Sequence, residues 1–557
     1  MTLNFNKLKD QLLFVPLGGS GEIGMNLNLY HHQGKWLIVD IGAGFADEYF
    51  PGVDMLVPDI TFLEGIQKDI VGAVFTHAHE DHIGAVQYVW DKIRCPIYAT
   101  PFTAALLREK LKEVDFGKEV KINLVQPGSA FSVASFNLEY VQLTHSVPEM
   151  NAIFIRTAQG NILHTGDWKF DPRPVVGPSS DFDKLKRFAD EGVLALVGDS
   201  TNVFKKEASG SEGDLEESIS NLVNGAKGLV IVATFASNVA RIETIAKAAQ
   251  KAGRRLMVAG RSIHRIVKCA KETGYLRDVP EYLDESEFSK HKREDLLILC
   301  TGCQGEPRAA LNRIVGNSHR NIKIKKGDSV IFSSKIIPGN DKRISWLMNQ
   351  LARLGIEVMT ERDHFVHVSG HPSRNELQHM YELVRPHVAI PVHGEVVHIH
   401  EHAKMALEWG VPHAVQVEDG CVVRLSHEKT EIIGQVQARQ LALDGHTFLP
   451  GDSAVMRMRR KMKREGIIIA FLSITSRGEL LGDVVLTAPG LLDKREDKDL
   501  ILDIAEEVSV AVTNQYRGKK NLDKPFIENI TKGVINRMIQ EEIGKSPVIE
   551  VHIQEID

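Results

Sequence analysis

The stretch "THAHEDHIGA", residues 76–85, sets His77, His79, Asp81 and His82 between an apolar run and a turn of small residues. Imidazole nitrogens and a carboxylate at this density are the donors a zinc ion takes, about four per ion, with one position left for water where the ion is catalytic. In an extended segment alternate side chains point the same way, so His77 and His79 face one site. Asp81 and His82 are adjacent and break that alternation, which suits a helix start aimed at a neighbouring point. Two metal positions follow, each incomplete without distant residues. The best further donors sit at the polar ends of other apolar runs: His145 in "QLTHSVPEM", Asp167 in "LHTGDWKF" and His393 in "IPVHGE". Asp167 is the choice for a carboxylate bridging two cations. Two such ions, about 3.5–4 Å apart, generate a hydroxide and stabilise the attacking and departing oxygens of a phosphodiester. Asp40, in "LIVDIG", is expected to orient a ligand rather than bind metal, and Glu80 is expected to face solvent.

The elements that must carry these residues are strands. "QLLFVPLGG", "WLIVDIGAG", "IVGAVFTHAH", "FNLEYVQLTHS" and "NILHTGDWKF" are apolar runs whose polar residues gather at the C-terminal end. From about residue 210 helices and strands alternate: "GDLEESISNLVNGAKG" and "NVARIETIAKAAQKAG" read as helices, and "LVIVATFA", "RRLMVAG", "REDLLILCTG" and "GDSVIFSSKIIPG" as buried strands. This predicts a parallel-sheet unit of roughly 150 residues inserted into the first domain, after which the histidines return. The expected organisation is a core over 1–208, the insertion over 209–355, a return to the core over 356–445, a linker over 446–465, and an α+β domain over 466–557; the basic run "RMRRKMKR" reads as part of the linker or as an exposed helix end.

Composition narrows the class. The chain has 557 residues and a formal net charge of −6, which argues against a generally basic nucleic-acid coat and leaves room for local basic grooves. Its five cysteines fit a reducing compartment, and Cys300 and Cys303, a C-x-x-C without a partner pair at zinc-finger spacing, read as buried, inert thiols. No apolar run of about 18 residues and no secretory leader pattern is seen, so a cytoplasmic protein is expected.

Asp40, the His77–His82 cluster, His145 and Asp167 follow in order the motifs of the metallo-β-lactamase superfamily, which the chain resembles. The inserted region resembles the β-CASP domain of its nucleic-acid-processing members, and "GDSTN" (Asp199), "HVSGH" (His367–His371) and "PVHGE" (His393) match that branch's further motifs. With "TGCQGEP", "SSKIIPGN" and the C-terminal region, the chain is most similar to the bacterial ribonuclease J family. The resemblance implies an αββα core with a β-CASP insertion. It implies two Zn2+ per subunit, one held by His77, His79, His145 and Asp167, the other by Asp81, His82, Asp167 and His393. Asp199 and His371 would be an acid/base pair, while His367, Val368, Ser369, Gly370 and His371, with Phe235, Ala236, Ser237 and Asn238, would hold substrate phosphates. The implied activity is 5′-to-3′ exonuclease and endonuclease cleavage of single-stranded RNA, preferably 5′-monophosphorylated, in mRNA decay and rRNA maturation, by a homodimer or homotetramer. Two other readings use the same residues: a DNA-processing nuclease of this branch, and a non-catalytic RNA-binding scaffold. Thioesterases and lactonases on the same core do not need the inserted domain.

Overall fold

The computed structural model describes residues 3–477, 479–516 and 522–556. The chain divides into two compact units: one comprises 1–44 and 56–440, the other 45–55 and 441–557.

The first unit is built on two sheets that share one apolar core. An eight-stranded sheet runs in the order Glu431–Gln435, Cys421–Leu425, Leu12–Gly18, Leu27–His32, Lys35–Val39, Ile70–Val74, Ile97–Ala99 and Ile122–Leu124. A seven-stranded sheet runs Ala130–Val133, Phe136–Gln142, Asn151–Thr157, Gly160–His164, Ala195–Asp199, Val388–Val392 and His413–Ala414. Phe14, Tyr30, Leu37 and Val74 from the first sheet meet Phe136, Tyr140, Ile153, Val197 and Ile390 from the second in one buried cluster. On its other face the seven-stranded sheet buries Leu163, Leu196 and Ala389 against the helices Phe182–Glu191, Arg374–Val384 and Val396–Glu408. These strands read as near-continuous apolar runs because both faces are covered.

Within this unit a third sheet of five parallel strands runs Arg255–Ala259, Leu296–Cys300, Val230–Ala233, Ser329–Phe332 and Glu357–Met359. Its last strand lies beyond residue 355, because Val330 and Ile331 pair with Val358 and Met359 to complete the sheet edge. The chain then returns to the seven-stranded sheet, where Val388–Val392 lies parallel to Ala195–Asp199 and sets Val392 opposite Asp199. That pairing brings the end of "PVHGE" to the end of "GDSTN".

The second unit holds a three-stranded sheet, in which Ile467–Ile474 pairs with Val485–Thr487 and with Val548–Glu555, and the helices Lys498–Tyr516 and Lys524–Ile543. The segment 446–465 carries the strand Thr447–Pro450 and the helix Ala454–Glu465, and the basic run, expected as linker or exposed helix end, lies in that helix. Ser453 caps that helix by accepting the Met456 N–H, and Met456 is its buried anchor among exposed basic residues. Among the described residues, no helix is long and apolar enough to cross a membrane.

Candidate metal centre and substrate cleft

After the strand Ile70–Val74 the chain stays extended through His79 and then turns into the short helix Glu80–Ile83. Two neighbouring segments pin this corner. Asn26 N–H donates to Asp81 O at 2.8 Å, Ile41 N–H to His82 O at 2.8 Å and Ala43 N–H to Glu80 O at 3.0 Å. Gly42 is required at this approach, since a Cβ there would lie 1.7 Å from Asp81 O. Asp40 accepts from Thr76 N–H at 2.9 Å, from Thr76 Oγ1 at 2.8 Å and from His82 Nδ1 at 2.7 Å, so Nε2 of His82 is the nitrogen that faces the centre. Glu80 points away from it and pairs with Lys110 at 2.7 Å.

The other donors stand at strand ends, as the two-sheet frame requires. His145 follows Phe136–Gln142, Asp167 follows Gly160–His164, Asp199 ends Ala195–Asp199, and His393 follows Val388–Val392 with a left-handed φ of 51°. Together they make two overlapping tetrads, His77/His79/His145/Asp167 and Asp81/His82/Asp167/His393, whose donor atoms lie within 4.8 Å of one another in each set. Asp167 is common to both. A further group, Asp167/Asp199/His371/His393, adjoins them.

The donor chemistry fits cations. His77 Nε2 and His145 Nε2 lie 3.1 and 3.0 Å from His79 Nδ1, so three imidazoles converge with little solvent between them. Burial first, and the neighbouring imidazoles next, hold His77 and His145 well below the usual histidine range. Burial also takes His79 down to about 4. Neutral imidazoles with converging lone pairs are ligands waiting for a positive charge. On the other side burial works against charge on His82 and His393, yet Asp167 overrides it and holds both well above the histidine range. Burial alone would raise Asp81, Asp167 and Asp199, but the facing histidines hold all three below the ordinary carboxylate value. Protons on His82 and His393 thus balance charge that a divalent ion would otherwise balance, and metal binding would release them. Asp167 Oδ1 and His393 Nε2, both buried, make no hydrogen bond among the described residues, although Asp167 Oδ1 is 3.0 Å from His393 Nδ1.

Asp199 Oδ2 and His371 Nδ1 are 2.8 Å apart, beside Asp167. The "HVSGH" segment is fixed by Asn202, whose Nδ2 donates to Ser369 Oγ at 2.7 Å and to His371 O at 3.1 Å. At Gly370 a Cβ would meet His145 Cε1 at 2.8 Å; its absence lets Gly370 O sit 2.5 Å from His145 Nδ1. His367 and Val368 are carried on the same segment, which Ser209 joins through Ser369 N–H. The turn Phe235–Asn238 opens the helix Val239–Lys251: Asn238 caps it by accepting Arg241 N–H at 2.8 Å, Phe235 packs on the core of the parallel sheet, and Ala236 and Ser237 are half-buried. The Asn238 side-chain oxygen is therefore already engaged. Cys300 and Cys303 are buried and free, with burial pushing the Cys303 thiol up to about 12.

Sequence reasoning did not single out Asn26, Ser146, Asn202, or the paired carboxyls Glu22 and Asp419. Ser146 Oγ is 3.3 Å from His79 Nε2, and its position next to His145 was the one available signal. Glu22 accepts from Gly19 N–H at 3.4 Å and from Gln440 Nε2, Asp419 accepts from Ser20 N–H at 3.0 Å, and the two carboxyls influence each other. Burial first, and Asp419 second, push Glu22 up to about 8.

Family models match four successive parts of the chain: the metallo-beta-lactamase superfamily over 26–201, the ribonuclease J beta-CASP domain over 227–351, the Zn-dependent metallo-hydrolase RNA specificity domain over 355–415, and the ribonuclease J C-terminal domain over 454–556. Among curated proteins the chain is 37% identical to ribonuclease J of Sinorhizobium meliloti, with 98% of each chain covered. It is 33% identical to ribonuclease J 1 of Streptococcus pyogenes, again over 98% of each, and 31% identical to ribonuclease J2 of Bacillus subtilis over 99% of this chain and 100% of that one. A crystal structure of a protein of unknown function from Enterococcus faecalis shares the fold, at a TM-score of 0.52 and 16% identity, covering 74% of this chain and 100% of that chain. With whole-length similarity to these relatives and a buried histidine–aspartate centre at its strand ends, the chain belongs to the ribonuclease J family of metallo-hydrolase nucleases.

Proposed function

We propose that the chain is a two-zinc RNA phosphodiesterase that removes nucleotides from the 5′ end and also cuts internally. The observation that carries this reading is the pair of donor tetrads sharing Asp167. His77, His79, His145 and Asp167 would hold one zinc, and Asp81, His82, Asp167 and His393 the other. Bound there, zinc supplies an acidified water for attack and positive charge against the phosphate oxygens.

The chain's own residues do the rest. Asp199 engages Nδ1 of His371, which leaves Nε2 for the departing 3′ oxygen. Burial disfavours the His371 cation, but Asp199 raises it above the ordinary histidine value, so it carries the proton that the leaving oxygen needs. The segment His367–His371, with Val368, Ser369 and Gly370, and the turn Phe235–Asn238, with Ala236 and Ser237, offer hydroxyl, imidazole and backbone N–H groups to phosphates. A terminal 5′-monophosphate seated there sets the first scissile bond at the centre. Each cut leaves a new 5′-phosphate, ready for the next round. Family membership carries the rest of the reading: single-stranded RNA as substrate, a homodimer or homotetramer, and work in cytoplasmic mRNA decay and rRNA maturation.

The test incubates labelled 5′-monophosphorylated RNA, 5′-triphosphorylated RNA and matching DNA with and without a chelator. Mononucleotides are expected from the 5′ end of the monophosphorylated RNA, lost on chelation and restored by zinc. Replacing His79 or Asp81 by alanine is expected to lower cleavage at least about a hundredfold while RNA affinity stays within a few-fold. Undiminished turnover in either variant, or equal cutting of DNA, overturns the assignment.

A further inference from the structure

An aromatic pair at the rim of the centre belongs to none of the groups described above. Asp199 ends its strand, and the turn after it carries Phe204 outward. Inside the turn, Val203 N–H donates to Ser200 O at 3.1 Å and Lys205 N–H to Asn202 O at 2.8 Å. Arg374 clamps it from outside: Nε donates to Val203 O at 2.9 Å and the backbone N–H to Lys205 O at 2.9 Å. Val203 is fully buried, whereas Phe204 is 52% exposed. The backbone is fixed and the ring is displayed.

His398 stands beside it, in the first turn of the helix that follows His393. The two rings meet edge to face, with centroids 5.3 Å apart and planes at 67°. His398 packs over Gly394, where an added Cβ would lie 2.9 Å from His398 Cβ and 3.1 Å from Ser200 Cβ. Phe204 and His398 each lie five residues beyond Asp199 and His393, whose Oδ1 and Nδ1 are 3.5 Å apart. Val396 and Val397, in the same first turn as His398, are 51% and 57% exposed. An apolar rim at the mouth of a polar centre marks a place where a ligand lies.

The surrounding charge names the kind of ligand. Lys205 and Lys206 follow Phe204 directly. After burial, Lys335 is the next cause holding Lys205 below the ordinary lysine value. After burial, Arg241, Lys205, Lys335 and Lys169 hold His367 down as well. Arg241 and Lys169 are buried and paired with Glu212 and Asp171, and Glu207, Glu376 and Glu361 also act on Lys205; Lys205, Lys206 and Lys335 are the cations left beside the displayed ring, and in a chain of net charge −6 they suit a polyanion with aromatic faces.

We propose that Phe204, steadied edge-on by His398, is a stacking platform for one nucleobase of the single-stranded substrate, with Lys205 and Lys335 taking the adjoining phosphate. The inference rests on the reading of the centre as an RNA phosphodiesterase. Stacking on a π-face tolerates any base, as a nuclease without sequence preference needs. It also anchors the strand beside the reacting phosphate, so that successive phosphodiesters arrive in register.

The experiment measures KM on zinc-loaded enzyme with 5′-monophosphorylated oligoribonucleotides, each carrying one abasic residue at a successive position. Phe204→Leu keeps the apolar bulk and removes the π-face; it is expected to raise KM about tenfold, while Phe204→Trp stays at or below the wild-type value. In the wild type, one abasic position is expected to cost a similar factor, and at that position Phe204→Leu adds nothing further. An unchanged KM for Phe204→Leu, the result if the ring serves a protein partner instead, overturns the platform. So does a loss multiplied equally at every abasic position. If the wild type cleaves none of these RNAs, the parent reading fails with it; if the wild type cleaves and Phe204→Leu is unchanged, the platform alone fails.

Discussion

Asp40 is fully buried, holds a left-handed φ of 63°, and uses both carboxylate oxygens on Thr76 and His82. Burial first raises its pKa, and the His82 charge works against that rise. Its effect on the centre is indirect: it holds the His82 ring so that Nε2 lies 3.2 Å from Asp167 Oδ2. Asn tolerates the same backbone conformation, so Asp40→Asn should fold, yet its amide turns a donor toward either Thr76 or His82. Zinc affinity is expected to fall roughly 10- to 100-fold, read by competition with a chromophoric chelator. Wild-type affinity in that variant would mean that the ring is oriented by packing alone. Convergence of the histidines was legible in the sequence because an extended chain alternates its side chains, and "LIVDIG" marked Asp40 as a buried acid at a strand end. The tight Asn26 and Gly42 approaches to Asp81 O were not legible, since backbone-to-backbone contacts leave no residue-type signature.

The loop 19–22 is the element that fixes His393 from the far end of the chain. Gly19 O accepts His393 N–H at 2.6 Å, Ser20–Gly21 pairs with Gly394–Glu395, and Ser20 N–H donates to Asp419 Oδ1 at 3.0 Å. Glu22 and Asp419 are pushed up to about 8 and about 7, chiefly by burial. An acid whose folded pKa is raised holds a proton that the unfolded chain has released. Stability is therefore lost as pH rises from the ordinary glutamate value of 4.5 to about 8. Glu22→Gln cannot ionise, so it is expected to melt above the wild type by roughly 2–4 °C at alkaline pH, with the difference gone in mildly acidic buffer. Thermal scans at the two pH values check this; a constant difference would exclude a raised Glu22 carboxyl. Nothing in the sequence announces this pair, because Glu22 and Asp419 sit at opposite ends of the unit and meet only through strand pairing. The helix Ala454–Glu465 was half legible: its basic run read as a linker or an exposed helix end, because Val455, Met458 and Met462 recur at helical spacing but remain exposed, and Met456 alone is buried.

At the scale of the whole chain, the βα alternation of the inserted domain was legible because each strand is a short apolar run between amphipathic helices. Which strands would pair in the core sheet was not: the run "HVAIPV" does not say that it will lie beside Ala195–Asp199. Arg241 shows how the inserted domain is tied to the segment that returns to the core. Its guanidinium is fully buried, bonds both oxygens of Glu212 at 3.1 and 2.9 Å, and donates through Nη1 to Ser333 O at 2.9 Å and Val366 O at 3.1 Å. Val366 leads directly into His367–His371, so one cation joins the start of the insertion to the segment proposed to hold phosphates. Removing it alone strands the Glu212 carboxylate, which is about 2% exposed, and Arg241→Ala is expected to cost about 3–5 kcal/mol. Replacing both partners by apolar side chains, Arg241→Met with Glu212→Leu, leaves no unpaired charge and should restore much of that loss in chemical denaturation. Ser333 O and Val366 O still lose the guanidinium, keeping only the Thr234 and Ser333 hydroxyls as donors, so the doubly substituted protein should keep its fold better than its affinity for 5′-monophosphorylated RNA. A double variant no more stable than Arg241→Ala would mean that the ion pair is not the source of the cost.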